Sequence, residues 1–120
     1  MADSPWPTEI RLMEGRRTLA ITWEDGVRHE LPAELLRVES PSAEVQGHSP
    51  DEKIVLGGKR SVRILSVDPV GSYAVRLGFD DGHNTGLYEW TYLRRLGEDR
   101  DAVFAAYVEA LTERGLSRDR

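Results

Sequence analysis

The feature that most constrains this chain is a pattern it uses twice. Ile21-x-Trp23-Glu24-Asp25-Gly26 reappears 56 residues later as Leu77-x-Phe79-Asp80-Asp81-Gly82. Before each Asp-Gly pair the apolar residues alternate: Leu19, Ile21 and Trp23 in one copy, and Tyr73, Val75, Leu77 and Phe79 in the other. A period of two puts such residues on one face of a strand. Glycine accepts the positive φ of a tight hairpin at little steric cost, so each Asp-Gly pair predicts a two-residue turn. In the expected alignment of the returning strands Leu31 meets Leu87, and each copy runs into a short helix carrying Leu-Arg, Leu36-Arg37 and Leu93-Arg94. Two copies are too few for a solenoid, so a small antiparallel sheet built from two related hairpins is expected.

The remaining elements complete an α+β reading. Residues 1–8 are expected to form a flexible tail, 9–97 the domain proper and 98–120 a terminal helix with a frayed end. Ile10–Leu12 reads as a short edge strand, Val62–Val67 as a strand ending in a turn at Asp68–Gly71, and Glu89–Leu96 as a short helix stopped by Gly97. The clearest helix spans Asp101–Arg114, with Val103, Phe104, Tyr107, Val108 and Leu111 as its apolar stripe. Asp99 or Asp101 suits its start, and Gly115 suits the left-handed position after its end, with Leu116 turned back towards Leu111. This helix is expected to cover the apolar sheet face. Residues 39–61 read as a long loop, punctuated by serine, proline and glycine, whose role the sequence leaves open between function and mobility.

Composition narrows the function. The 120 residues carry a formal net charge of −5 and no cysteine. Phosphate neutralisation wants the opposite sign, so nucleic acid is not an expected partner, and the pairs Arg16-Arg17, Lys59-Arg60 and Arg94-Arg95 read as solvated surface charge. Disulfides, thiolate nucleophiles and cysteine-based metal sites are excluded within these residues. No apolar run approaches about 18 residues, the start lacks a secretory pattern, and the expected location is the cytoplasm without membrane attachment.

Several residues carry candidate chemistry. His83 beside Asp80 and Asp81 could bind a divalent cation or exchange protons. His48 and Glu44 could join it to make an open three-ligand site, whereas His29 reads as surface. Ser40 and Ser42 lack the spacing of a nucleophile with its base, and Gly57-Gly58-Lys59-Arg60 lacks the full spacing of a phosphate loop. Tyr88, Trp90 and Tyr92 beside Arg94 and Arg95 match the aromatic and arginine composition of protein-binding hot spots and form the expected contact surface for an unidentified protein partner.

The ordered segments also resemble a known family, the N-terminal-like domain of gamma-butyrobetaine hydroxylase, which occurs in bacteria as short stand-alone proteins. They are Leu19-x-Ile21-x-Trp23-x-Asp25-Gly26, Leu36-Arg37-Val38-Glu39-Ser40-Pro41-Ser42-Ala43-Glu44, Val70-Gly71-x-Tyr73-Ala74-Val75, Asp81-Gly82-His83-x-Thr85-Gly86-Leu87-Tyr88 and Tyr92-Leu93-Arg94. In the hydroxylases this domain precedes a separate catalytic domain dependent on iron and 2-oxoglutarate. Nothing in 120 residues supplies that domain, so the resemblance implies no oxygenase activity here. A similar domain is appended to some P-loop ATPases of iron–sulfur cluster assembly, which implies an accessory role. The hydroxylase domain holds zinc through Cys-x-Cys-x-x-Cys and a distant histidine, positions taken here by Ser40, Ser42, Val45 and His83. The resemblance therefore implies a lost zinc site, and no cofactor is expected. Oligomeric state is left open.

Overall fold

The computed structural model describes residues 5–47 and 49–119. Among these residues six strands and four α-helices follow one another as β1 (Pro7–Met13), β2 (Thr18–Trp23), β3 (Arg28–Pro32), α1 (Ala33–Val38), α2 (Ala43–Gln46), β4 (Ile64–Val70), β5 (Ala74–Phe79), β6 (Gly86–Glu89), α3 (Trp90–Glu98) and α4 (Arg100–Glu113). The strands form two antiparallel three-stranded sheets, β1-β2-β3 and β4-β5-β6. The α+β class, the two related hairpins and the strand before each are as expected, but in place of one sheet each hairpin pairs with its preceding strand to make its own.

The hairpins are built alike down to single bonds. In the first, Trp23 N–H donates to Val27 O at 2.8 Å, Gly26 N–H donates to Trp23 O at 2.9 Å, and Asp25 Oδ1 accepts from Val27 N–H at 3.2 Å. In the second, Phe79, His83, Gly82 and Asp81 make the equivalent three bonds at 2.9, 3.0 and 3.1 Å. Gly26 and Gly82 have φ of +88° and +93°. These are three-residue loops closed by a left-handed glycine, not the expected two-residue turns. An extra residue in the second return strand, around Asn84-Thr85, shifts its register: Leu19 faces Leu31, but the equivalent Val75 faces Tyr88. Tyr88, not Leu87, is thus the structural counterpart of Leu31; Leu87 is exposed.

Leu19, Ile21, Trp23, Val75, Leu77 and Phe79 form one core with Leu35 and Leu36 of α1 and Leu93 and Leu96 of α3. Full burial of each large apolar side chain contributes about 1.5–3 kcal/mol, so this cluster dominates stability. β4 runs on to Val70 through the expected turn at Asp68–Gly71. Pro69 is tolerated there because β4 is an edge strand. Tyr73 falls in the following turn and is exposed.

The terminal helix differs from expectation in its packing. Of its stripe only Tyr107 and Leu111 are buried, and they meet Val38, Val55 and Leu56 in a separate small cluster. α4 therefore touches the main core through half-buried Val103 and Phe104 and seats its buried residues beside α1 and the 55–56 segment, while α1 and α3 cover the sheets. Its end is as expected: Leu116 N–H donates to Leu111 O at 2.9 Å, Gly115 N–H donates to Thr112 O at 3.1 Å, and Gly115 has φ of +66°. This is the Schellman arrangement. Residues 39–61 contain α2 and a turn of 3-10 helix at Pro50–Glu52. Gln46 Nε2–H to Ser40 O (2.8 Å), Ile54 N–H to Val45 O (2.7 Å) and a Lys53–Glu39 pair (2.6 Å) tie the segment down.

Candidate functional site

The chain leaves α1 at Glu39 and turns through Ser40-Pro41-Ser42 into α2, beside the start of β6. Gly86 permits this approach, since a Cβ there would stand 2.5 Å from Ser40 Oγ. The result is a buried polar cluster. Ser40 Oγ lies 2.9 Å from His83 Nε2, and His83 Nδ1 lies 3.2 Å from Glu44 Oε1. Ser40 Oγ also accepts from Ser42 N–H at 3.2 Å, Ser42 Oγ caps α2 by accepting from Glu44 N–H, and it meets Thr85 Oγ1 at 2.9 Å. These bonds suit a neutral imidazole that accepts at Nε2 and donates from Nδ1. Burial lowers the His83 pKa, with the Arg37 charge acting in the same direction, and Glu44 and Asp81 only partly oppose them.

Hydroxyl, imidazole and carboxylate in line are the parts of a nucleophilic triad, but their exposures are reversed. Ser40 is 0% exposed, whereas the Glu44 side chain is 64% exposed. An attacking hydroxyl must reach substrate and its carboxylate orient from behind. Here the hydroxyl is the sealed end. The arrangement holds α1, α2 and β6 together and offers no path to an acyl group.

Asp81 does not join this line. Its Oδ2 accepts from Arg37 Nε at 2.7 Å and from Lys59 Nζ at 2.6 Å. Burial opposes its ionisation, but Lys59, the His83 backbone N–H and Arg37 outweigh that and hold its pKa at about 2. Arg37 is itself buried, and its Nη1 has no hydrogen-bond partner among the described residues. Asp81 and His83 thus adjoin through the backbone while their side chains face different partners. His48 lies outside the described residues. Among those described, no three His, Asp or Glu side chains gather as a metal-ligating group.

The four positions that the resemblance maps to zinc ligands do not supply zinc chemistry. Ser40 and His83 touch, Ser42 adjoins them through Ser40, and Val45 is buried on α2. Structural zinc takes thiolates and imidazoles; two neutral hydroxyls already engaged in hydrogen bonds and an aliphatic side chain do not fit it.

The aromatic cluster turns mostly inward. Tyr88 is fully buried and donates to Leu36 O at 2.6 Å, which corrects its expected place on a contact surface. Trp90 and Tyr92 are half-buried: Trp90 Nε1 donates to Ser72 O at 2.9 Å and Tyr92 Oη to Glu39 O at 2.5 Å. Arg94 grips Asp25 at 3.0 Å and Glu98 at 2.6 Å above the Trp23 ring. Only Arg95, stacked on Tyr92, is exposed. His29, read from sequence as surface, accepts from Trp23 Nε1 at 2.9 Å and packs on α3. Sequence reasoning passed over Glu34 and gave Arg37 no role beyond its motifs, though both are charges on a helix whose six residues are all buried. The run Ala33-Glu34-Leu35-Leu36-Arg37-Val38 carries a faint signal, since four of its members are apolar and no face is wholly polar.

Fold and cluster define a small antiparallel α+β domain whose polar centre is hydrogen-bonded and closed. The chain belongs to the gamma-butyrobetaine hydroxylase-like N-terminal domain family, whose model matches residues 10–94. No functionally curated protein matches it. It is similar to a protein solved by NMR in solution, with 42% identity and a TM-score of 0.83, covering 98% of this chain and 92% of that one. It is also similar to a crystal structure from Acidithiobacillus ferrooxidans ATCC 23270, described as a protein of unknown function in the DUF971 family. That match has 46% identity and a TM-score of 0.63, covering 76% of this chain and 91% of the other.

Proposed function

We propose that this chain is a non-catalytic accessory domain that acts by binding another protein in the cytoplasm. The observation that carries this reading is the closed state of the cluster around His83. Ser40 is sealed, both imidazole nitrogens have partners, and Asp81 is held by two cations, so each group with chemical potential serves the fold. Among the described residues, no helix is long and apolar enough to cross a membrane. Family membership supports a docking role, since related domains accompany either a 2-oxoglutarate hydroxylase or a cluster-assembly ATPase. We further propose that the cluster holds no zinc, its hydrogen bonds taking over the joining of α2 to β6.

The test is direct mixing. The purified chain is added to a cluster-assembly P-loop ATPase and, separately, to a 2-oxoglutarate hydroxylase lacking its own N-terminal domain. Complex formation is followed by size-exclusion chromatography and turnover by product release. A stoichiometric complex with either enzyme, with altered turnover, is expected. Failure to associate with both, or a hydrolytic or redox turnover by the chain alone, overturns the reading.

A further inference from the structure

Beyond α4 the chain does not stray into solvent. Ser117–Asp119 lies in a groove between α1, α4 and the 57–60 segment. Gly58 N–H donates to Ser117 O at 2.9 Å and Arg60 N–H donates to Arg118 O at 3.1 Å. Gly57 makes the seat possible, because a Cβ there would stand 2.8 Å from Ser117 O. Arg118 gives two bonds to the Glu34 carboxylate, at 2.8 and 2.7 Å, and lies over the Phe104 ring at 4.9 Å. Asp119 meets Arg60 at 2.5 Å. Glu34 is 5% exposed. A buried carboxylate at the base, an aromatic wall, two backbone donors along the side and an arginine at the rim make a built receptor for a short extended peptide. The two-pronged bond and the ring contact select arginine over lysine, whose single ammonium cannot match that geometry.

The occupant is held by polar contacts and not by apolar burial. Helix α4 is already terminated by its own bonds at Gly115 and Leu116, and Ser117, Arg118 and Asp119 bring no apolar side chain to the core. Release of the tail therefore forfeits little apolar burial and admits water to Glu34, the profile of a segment that opens locally while the core stays closed. A tethered segment of this kind competes at a high effective concentration with anything arriving from solution.

We propose that this groove docks an extended segment of a partner protein bearing an arginine followed by an acidic residue, and that the chain's own tail closes it in cis. The proposal rests on the accessory-domain reading and names the chemistry of its partner. The full-length wild type and its Arg118→Ala variant are titrated with a labelled peptide of sequence Gly-Leu-Ser-Arg-Asp-Arg, residues 115–120. The variant is expected to bind it about ten-fold or more tightly than the wild type does, because the competing cis arginine is gone. A peptide with lysine in place of its first arginine is expected to bind neither protein, and Glu34→Gln in the variant is expected to abolish binding. In the wild type, the Gly58 and Arg60 amides are expected to exchange hydrogen faster than the Leu19 and Leu77 amides. Exchange as slow as the core, absence of peptide binding, or a dimer formed by mutual exchange of tails would each overturn the proposal. The hydrogen-exchange measurement needs no substitution, so a variant that fails to fold leaves it decisive. Loss of peptide binding alongside an intact complex with the enzymes named above would sink this proposal and leave the accessory reading standing.

Discussion

Gly97 lies inside α3, where alanine is ordinarily preferred by about 1 kcal/mol, yet a Cβ at this position would overlap the His29 ring. Overpacking of a filled site costs typically about 1–3 kcal/mol, so steric cost outweighs propensity. Gly97→Ala is expected to lower stability by about 1–2 kcal/mol, measured by denaturant unfolding, and His29→Ala in the same chain should remove most of the penalty; a more stable Gly97→Ala protein would refute the packing account. Gly86, in β6 of the same copy, clears Ser40 as Gly97 clears His29. In sequence Gly97 reads as a helix stop, because a glycine near a helix end is legible and the imidazole it accommodates is 68 residues away. The two histidines also set a pH dependence. His29 is lowered by burial, with Arg94 and Arg100 adding to it against Glu98 and Asp25; His83 is lowered by burial and Arg37 against Glu44 and Asp81. With folded values below the unfolded value of about 6.5, the unfolded chain binds more protons as pH falls. Their contribution is thus complete above that value and is lost as pH drops through the folded ones. Unfolding free energy should decline between pH 7.5 and 5, and His83→Gln should flatten part of that decline.

The two hairpins share geometry but not the weight of their turn aspartates. Asp25 is 42% exposed at its side chain and meets Arg94 at the surface, whereas Asp81 is 20% exposed and holds Arg37, itself 10% exposed, together with Lys59. Asparagine keeps the oxygen that accepts the backbone bond two residues on, so Asp→Asn isolates the charge at each turn. Asp81→Asn is expected to cost about 3 kcal/mol, because it strands a buried guanidinium; Asp25→Asn should change stability by less than about 1 kcal/mol. Denaturant midpoints at pH 7 compare the two, and equal costs would contradict the assignment. The carboxyl of Asp81 at about 2 keeps this contribution intact above about pH 3.8 and loses it as pH falls through 2. The duplication itself was legible because alternation and Asp-Gly turns are local signals. Which copy carries the more buried ion pairs was not, because Arg37 and Lys59 come from segments whose approach depends on tertiary packing. The same reason hid the seating of α4: its apolar stripe is readable, but the surface it meets is made by Val38 and the 55–56 segment.

At the scale of the whole molecule, the two sheets and the helices α1 and α3 close a single core without a disulfide, and 120 residues bury enough surface for that. A domain of this size is stable by about 5–15 kcal/mol, while a structural zinc site contributes apparent folding energy on the order of 10 kcal/mol. Those magnitudes make the metal question decidable. If α2 and β6 were joined through a metal, chelation would remove most or all of the stability; if they are joined by Ser40–His83–Glu44 and Ser42–Thr85, chelation removes none. The expected outcome is that protein purified without chelator carries no stoichiometric zinc by elemental analysis, and that its thermal midpoint stays unchanged when chelator is added. The Ser40→Ala variant should lower that midpoint, since it strips the buried imidazole of the hydroxyl at Nε2 and leaves a polar atom unsatisfied at a cost of about 1–3 kcal/mol. Metal at one equivalent with a midpoint that collapses on chelation would show instead that oxygen ligands and His83 had assembled a site of a kind the hydroxyl and valine positions do not suit.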